Sequence, residues 1–223
     1  MSDPELHGAS LSCVGVVPLE GRGALPFVAL HGEPLFLHAV RTLLATPSVR
    51  DVVVTADPDT VAEAEQELAA AQLPVEVLEA AGWWQAWDRS PSVPPRVALV
   101  DPLCPLVPCA FVARVLSEVT TDTAVAGYRP VTDTVKTVVD DQIVGTLDRD
   151  RLAVVASPVV VPGRLAGRGA PPVHDFALLA DWLRERTELH LVRAPSMARR
   201  VGDESALRVL ECLDELGRSV HEA

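Results

Sequence analysis

The sequence predicts a doubly wound α/β domain, in which a mostly parallel sheet carries helices on both faces. Short apolar runs alternate with segments whose apolar residues recur at helical spacing. The short runs lack the polar alternation of half-exposed strands, which is typical of parallel strands covered on both sides. With 223 residues, 48% of them hydrophobic, the chain is long enough to bury a substantial core.

The first half of the chain supplies these elements in order. The predicted strands are residues 11–18, 51–57, 74–80 and 96–101. The predicted helices are residues 34–45, 58–71 and 109–119, the second with Pro58 in its first turn. Ligands of such sheets bind beyond the carboxyl ends of the strands. The loop after Pro18 and the segment that begins at Asp101 are therefore the candidate site.

Residues 130–152 interrupt the alternation of strands and helices. Two runs of period 2 flank Asp140 and Asp141, which predicts a β-hairpin with its turn at these aspartates. A hairpin that projects from an α/β core exposes strand edges, and proteins normally cover such edges. We therefore predict a single domain over residues 1–223, with residues 130–152 as a β-arm that pairs with a second subunit.

Charge and cysteine content exclude several classes of function. The net charge is −12, whereas nucleic-acid binding needs a basic footprint. No run approaches the ~18 apolar residues of a membrane span, and the acidic start MSDPELHGAS is unlike a secretory signal. The cysteines lack zinc-site or disulfide spacing, which favours free thiols in a reducing compartment. We expect a cytoplasmic protein that binds neither nucleic acid nor membrane.

The loop after the first strand has the shape of a phosphate-binding turn. The stretch VVPLEGRGALPF runs from an apolar strand through two glycines to a Pro that can open a helix. Glu20, however, lies beside the backbone amides that would face phosphate, and a carboxylate there repels the same anion. Arg22 stands between the two glycines and must point in a different direction from a cation that grips phosphate.

Several stretches resemble the 2-C-methyl-D-erythritol 4-phosphate cytidylyltransferases. GEPLFLHAVRTLLATPSVRDVVV resembles a helix and the second strand of that family, and LVDPLCPLVP resembles its H-D-A-A-R-P-L-V-P stretch. PVTDTVKTV and VGTLDRDRL together resemble its P-V-x-D-T-x-K and T-x-D-R-x-x-L arm. The resemblance implies a nucleotidyltransferase-type (Rossmann-like) fold and a homodimer held by the arm. It also implies cytidylyl transfer from CTP to methylerythritol phosphate with release of pyrophosphate, and Mg²⁺ as cofactor if the chain is catalytic.

The resemblance also implies roles for individual residues. The implied nucleotide-binding residues are Pro18, Gly21, Gly23, Gly82 and Asp101, and Asp101 is also the implied metal ligand. The implied acceptor-phosphate residues are Thr134, Arg149 and Asp175, the first two reaching a neighbouring subunit. Arg22 and Arg200 are the candidate catalytic cations, and Arg200 stands where the family has the Lys of its K-(I/V)-T-T stretch.

The chain departs from the family pattern on the nucleotide side. In the family, this loop reads P-A-A-G-x-G-x-R and is followed by P-K, and it is about five residues longer than here. Phe27 stands at the position of the family's Lys, and the Arg of the family's loop has no counterpart. A charge-assisted hydrogen bond is worth ~1.5–3 kcal/mol, so the loss of two cations indicates lost, weak or redirected activity. The alternative is a non-catalytic dimeric paralogue that binds CTP or another phosphorylated metabolite, or a protein partner.

Some residues keep two interpretations. Three indoles stack on a base or ligand ring, anchor a protein partner, or fill the space of a missing helix: Trp83, Trp84 and Trp87. Asp101 either holds a metal ion or caps a turn at the end of its strand. His174, beside Asp175, is interpreted as the neighbour of a helix cap.

Overall fold

The computed structural model describes residues 13–84, 96–120, 122–165 and 168–221. The strands are, in chain order, β1 (Cys13–Pro18), β2 (Ala29–Leu30), β3 (Glu33–Pro34), β4 (Val49–Ala56), β5 (Glu76–Glu79), β6 (Arg96–Leu99), β7 (Thr123–Pro130), β8 (Val135–Val139), β9 (Gln142–Leu147), β10 (Ala153–Pro162) and β11 (Glu188–Arg193). The α-helices are α1 (Leu35–Leu44), α2 (Val61–Ala70), α3 (Cys109–Glu118), α4 (Phe176–Arg184) and α5 (Glu204–His221). None of these described helices is long and apolar enough to cross a membrane.

The central sheet has seven strands in the order β11-β7-β10-β6-β1-β4-β5. Neighbouring strands are parallel except at β10, which runs antiparallel to both β6 and β7. The predicted mostly parallel α/β sheet is therefore confirmed. The antiparallel strand between β6 and β7 is an addition that the alternation of apolar runs did not predict.

The side chains of β1 show why its sequence is apolar without interruption. Val17 packs into the cluster formed with α1, α2 and α3 on one face of the sheet. Val16, its neighbour, packs into the cluster formed with α4 on the opposite face. Because successive strand residues point to opposite faces, a strand covered on both sides needs apolar residues at every position.

Helix α2 begins later than the sequence predicts. Pro58 lies in a turn before the helix, and the predicted helix start at this residue is wrong. The amide and the hydroxyl of Thr60 both donate to the backbone oxygen of Asp57, at 2.9 and 3.1 Å. These bonds close a turn at residues 57–60, so the helix starts at Val61 with Thr60 as its N-cap residue.

The predicted β-arm is a two-stranded hairpin separate from the central sheet. Asp140 and Asp141 form its turn with φ values of +47° and +60°, the backbone of the tight turns that suit hairpins. Five of its aliphatic side chains are exposed: Val138, Val139, Ile143, Val144 and Leu147. Pro130 pairs with Ala153 directly below the hairpin, so the arm leaves the core at one point.

Candidate functional site

Two cavities open at the carboxyl edge of the sheet. The first, about 420 Å³, is here called the indole cavity, and its lining includes Glu20, Gly21, Asp57, Trp83 and Trp84. The second, about 380 Å³, is here called the Arg200 cavity, and its lining includes Asp101, Cys104, Ser157, Asp175 and Arg200. His174 lines both cavities. The two therefore share one wall at the position where α/β sheets commonly bind ligands.

Arg22 bonds to residues that line both cavities. Its side chain is 1% exposed, and its Nε donates to Oδ1 of Asp101 at 3.0 Å. Its two terminal nitrogens donate to the backbone oxygens of Glu20 at 3.0 Å and Val173 at 2.8 Å. The guanidinium carbon also lies 5.9 Å from the ring centre of Phe176. Arg22 thus joins three separate segments, and its guanidinium is used inside the protein.

Asp101 is held by two arginines. Its Oδ1 accepts from Arg22 and from the backbone amide of Leu103 at 3.1 Å, and its Oδ2 accepts from Nε of Arg200 at 2.8 Å. Its own amide donates to Oγ of Ser157 at 2.7 Å. The side chain is only 4% exposed. The sequence left two interpretations of this residue open, a metal ligand and a turn cap. In the structure its carboxylate accepts from an amide two residues later, as a turn cap does, and it is also buried between two guanidinium groups.

The loop after β1 carries its own anions. The amide of Gly21 donates to Oδ2 of Asp57 at 2.9 Å, which is the type of bond that a phosphate oxygen would take in a phosphate-binding loop. Oε2 of Glu20 accepts from the hydroxyl of Thr55 at 2.7 Å. Burial raises the pKa of the Glu20 carboxyl, and the bond from Thr55 opposes that shift only in part. Two carboxylates therefore line the place where a triphosphate needs positive charge.

The indoles of Trp83 and Trp84 are part of the core. Their rings meet edge to face with centres 5.4 Å apart, and Trp84 is 1% exposed. Both pack in the cluster that includes Val16, Leu165 and Phe176. Their burial agrees with the interpretation that they fill space. Trp87 lies outside the described residues.

Of the remaining predicted nucleotide-binding glycines, Gly21 lines the indole cavity, whereas Gly23 and Gly82 line neither cavity. Pro18 ends β1 opposite Thr55. Gly21 has a φ of +69°, which favours glycine, and a Cβ there would come within 3.0 Å of Cβ of His174. Gly23 and Gly82 also lie in turns with positive φ, but neither lines the two cavities. Their roles in nucleotide binding stay predictions.

The acceptor side combines residues of the core and residues of the arm. Arg200 lines its cavity with a side chain that is 51% exposed. Asp175 caps α4, because its Oδ1 accepts from the amides of Ala177 and Leu178. Thr134 and Arg149 are exposed on the arm, where Arg149 donates to the backbone oxygen of Thr132, and neither lines the Arg200 cavity. The described chain therefore brings Asp101, Asp175 and Arg200 together without the two arm residues.

The residues present do not fit a Mg²⁺ ion. Mg²⁺ in nucleotide sites is usually held by one or two carboxylates together with phosphate oxygens, but an ion at Asp101 would meet two guanidinium groups. Within the described residues, no group of three or more His, Cys, Asp and Glu side chains could hold a metal ion. Burial raises the pKa of the Cys104 thiol to about 12, so this neighbour of Asp101 is no thiolate ligand at neutral pH.

Sequence reasoning missed Asp57, which lines the indole cavity. The sequence places Asp57 at the carboxyl end of a predicted strand, and this position is the signal for a site residue.

Together, a mostly parallel sheet, a divided site at its carboxyl edge and a projecting hairpin define a nucleotidyltransferase-type α/β protein. The structure is similar to the crystal structure of 4-diphosphocytidyl-2C-methyl-D-erythritol synthase from Anaerococcus prevotii, with a TM-score of 0.72 and 12% identity over 92% of this chain and 97% of that one. It is also similar to 2-C-methyl-D-erythritol 4-phosphate cytidylyltransferase from Thermus thermophilus, with a TM-score of 0.66 and 20% identity over 91% and 98%. At these identities the likeness supports the fold.

Sequence comparison gives the family. The model of the 2-C-methyl-D-erythritol 4-phosphate cytidylyltransferases matches residues 21–166. The cytidylyltransferase of Streptomyces coelicolor is 33% identical over 223 residues, covering 89% of this chain and 80% of that protein. A bifunctional enzyme from Solidesulfovibrio magneticus is 36% identical over 144 residues, and the match spans 36% of its length. The chain belongs to the 2-C-methyl-D-erythritol 4-phosphate cytidylyltransferase family.

Proposed function

We propose that this family member has lost cytidylyl transfer from CTP and binds a small phosphorylated molecule in the Arg200 cavity. The observation that carries the proposal is the charge of the loop after β1. The amide of Gly21 is bonded to Asp57, and the buried carboxylate of Glu20 lies in the same loop. The cation of this loop, Arg22, is directed into the protein. Among the residues that the structure describes, a triphosphate in this loop would meet two carboxylates and no accessible guanidinium.

The Arg200 cavity supports the binding part of the proposal. Of the guanidinium nitrogens of Arg200, Nε is the one that contacts Asp101. Its terminal N–H groups have no hydrogen-bond partner among the described residues and can serve a ligand. A half-exposed arginine that keeps such donors suits phosphate, since its planar fork matches two phosphate oxygens. Within the described ranges, the Arg200 cavity thus keeps a cation for phosphate, whereas the loop after β1 offers none.

The arm supports a homodimer as the working form. Its exposed aliphatic side chains, with Ile143 at 67% exposure, form an apolar surface on a projecting element, and such surfaces usually mark interaction sites. A second copy that receives the arm would cover these side chains. It would also receive Thr134 and Arg149, for which the family resemblance implies contacts across the dimer.

The first prediction concerns CTP. We expect CTP with Mg²⁺ to leave the melting temperature unchanged and to release no pyrophosphate when methylerythritol phosphate is added. The double variant Glu20→Gln and Asp57→Asn keeps the shapes and the hydrogen bonds of both side chains while it removes two negative charges. Because a charge pair a few Å apart near a surface interacts by ~1–4 kcal/mol, this variant is expected to bind CTP at least about tenfold more tightly than the unmodified chain.

The matched control for this experiment is Asp51→Asn with Asp59→Asn, which removes the same charge from two exposed positions outside the cavities. It is expected to bind CTP no better than the unmodified chain. Turnover of CTP and methylerythritol phosphate by the unmodified chain at ordinary enzymatic rates, ~1 to 10³ s⁻¹, would refute the loss of transfer.

The second prediction concerns the arm. Deletion of residues 132–148 is expected to give a folded monomer in sedimentation, because Pro130 and Ala153 already pair below the arm and the core needs no strand from it. Ile143→Asp is a single-residue version of the same test. It places a charge on the exposed apolar surface of the arm and is also expected to give a monomer. A dimer that survives both changes would show that the subunits meet elsewhere.

A further inference from the structure

A third cavity, of about 500 Å³, lies between the start of α3 and the end of β11 and is here called the Arg114 cavity. It is lined by two arginines, Arg114 and Arg193, and by five apolar residues: Pro108, Ala110, Phe111, Ala194 and Pro195. None of these residues lines the indole cavity or the Arg200 cavity. Its volume falls within the ~300–1,000 Å³ of small-molecule sites, which are mostly apolar with a few polar groups that orient the ligand.

Arg114 is held in place at this cavity by two contacts. One terminal nitrogen donates to the backbone oxygen of Arg193 at 2.7 Å, and the guanidinium carbon lies 4.9 Å from the ring centre of Phe111. The ring of Phe111 is itself fixed, since it is 5% exposed and packs in the core cluster with α1 and α2. The other two guanidinium nitrogens of Arg114 bond to no residue that the structure describes. A donor that is already oriented costs less entropy when it binds a ligand.

The two guanidinium groups are not balanced by a carboxylate in the described chain. The exposed side chain of Arg193 forms neither an ion pair nor a hydrogen bond with a described residue, and Arg114 forms no ion pair. No Asp or Glu is among the residues that line the cavity, although the chain has 31 Asp and Glu against 19 Lys and Arg. Like charges that share a cavity repel each other, whereas an anion between them is attracted to both.

The start of α3 adds to the positive potential of the cavity. Pro108 is the N-cap residue and provides no side-chain cap, and the first turn contains no acidic residue. The amides of Phe111 and Val112 donate to the backbone oxygen of Pro108, but those of Cys109 and Ala110 donate to no described residue. Open amides at the start of a helix favour a negative charge nearby.

We infer that the Arg114 cavity binds a small carboxylate with an apolar body. The planar forks of the two arginines match carboxylate oxygens, and the walls formed by Pro108, Phe111 and Pro195 suit an apolar group. A polyhydroxylated anion suits these walls less, because its hydroxyl groups would lose water without gaining hydrogen bonds. The inference goes beyond the proposed function and does not depend on it.

The test uses the full chain with three probes that separate charge from apolar surface. Phenylacetate carries both a carboxylate and an apolar ring, phenylacetamide lacks the charge, and acetate lacks the ring. In an NMR titration of the isotope-labelled chain, we expect phenylacetate to bind more tightly than either of the other two. Its binding is expected to shift the amide resonances of Ala110 and Ala194 and not those of His174 and Ala177, which line the Arg200 cavity.

Two variants test the cavity directly. Arg193→Gln is expected to weaken phenylacetate binding by about tenfold or more, as the loss of a charge-assisted hydrogen bond implies. It is also expected to leave the melting temperature of the free chain unchanged, since this side chain has no bond to a described residue to lose. Ala110→Glu places a carboxylate in the cavity at the first turn of α3, where it suits the helix, and is expected to abolish binding. Arg50→Gln is the matched control, because it removes the same charge from an exposed position at the amino end of β4.

Three results would overturn the inference. The first is equal phenylacetate affinity of Arg193→Gln and Arg50→Gln, and the second is no phenylacetate binding by the unmodified chain up to about 10 mM. The third is loss of phenylacetate binding in Arg200→Gln, which would place the probe in the Arg200 cavity. We expect Arg200→Gln to keep its affinity for phenylacetate while it loses affinity for inorganic phosphate, so the failure of this inference and the failure of the proposed function are distinguishable.

Discussion

Replacing Asp101 by Ala is expected to lower the free energy of unfolding by about 3–5 kcal/mol, the usual cost of leaving a buried charge without its partner. Arg22 would keep its positive charge at 1% exposure without the carboxylate that now accepts from Nε. The backbone amide of Leu103 would lose its acceptor at the same time. Urea denaturation measures the effect, with Asp51→Ala as the control at an exposed position of β4.

A double variant distinguishes charge from packing. Arg22→Met with Asp101→Ala removes both charges, so it is expected to be more stable than Asp101→Ala alone, although the backbone oxygens of Glu20 and Val173 lose their donors. A cost below about 1 kcal/mol for Asp101→Ala, the typical value for an exposed ion pair, would contradict the description of this pair as a buried structural link.

Replacing Trp84 by Ala is expected to cost about 3–5 kcal/mol of unfolding free energy, as large-to-small changes of buried aromatic residues do. Trp84 is almost fully buried and meets Trp83 edge to face, so its removal leaves a cavity in the cluster beneath α4. Trp84→Phe keeps an aromatic ring and is expected to cost less. Chemical denaturation followed by far-UV circular dichroism gives both values.

Trp182 on α4 provides the comparison for this prediction. It is half-buried and stacks under Arg186 at 4.5 Å, so the same change to Ala there is expected to cost less than at Trp84. A smaller loss of unfolding free energy at Trp84 than at Trp182 would mean that neighbouring side chains move into the space that the indole of Trp84 leaves. Trp84 would then again be a candidate for stacking on a ligand ring.

The sequence was sufficient for features that depend on neighbours along the chain. The uninterrupted apolar run at Val16 and Val17 predicted a strand covered on both faces, and the paired aspartates at 140 and 141 predicted the hairpin turn. The start of α2 was missed because a Pro at residue 58 suits a first helical turn as well as the turn that precedes it.

The contacts within the site depend on residues far apart in sequence. Arg22 was expected to point away from a phosphate, but no local pattern shows that its partner is Asp101, which lies 79 positions later. Glu20 was expected to repel phosphate, but its bond to Thr55 is equally remote in sequence.

The three-way link made by Arg22 bears on how the nascent protein reaches its final form. Val173 is synthesised 151 residues after Arg22, so the acceptor for one guanidinium nitrogen is still missing when most of the sheet has left the ribosome. Contacts between such distant positions slow folding, because the intervening chain must first be closed into a loop. We therefore expect the turn after β1 to complete its bonds only after Val173 has emerged.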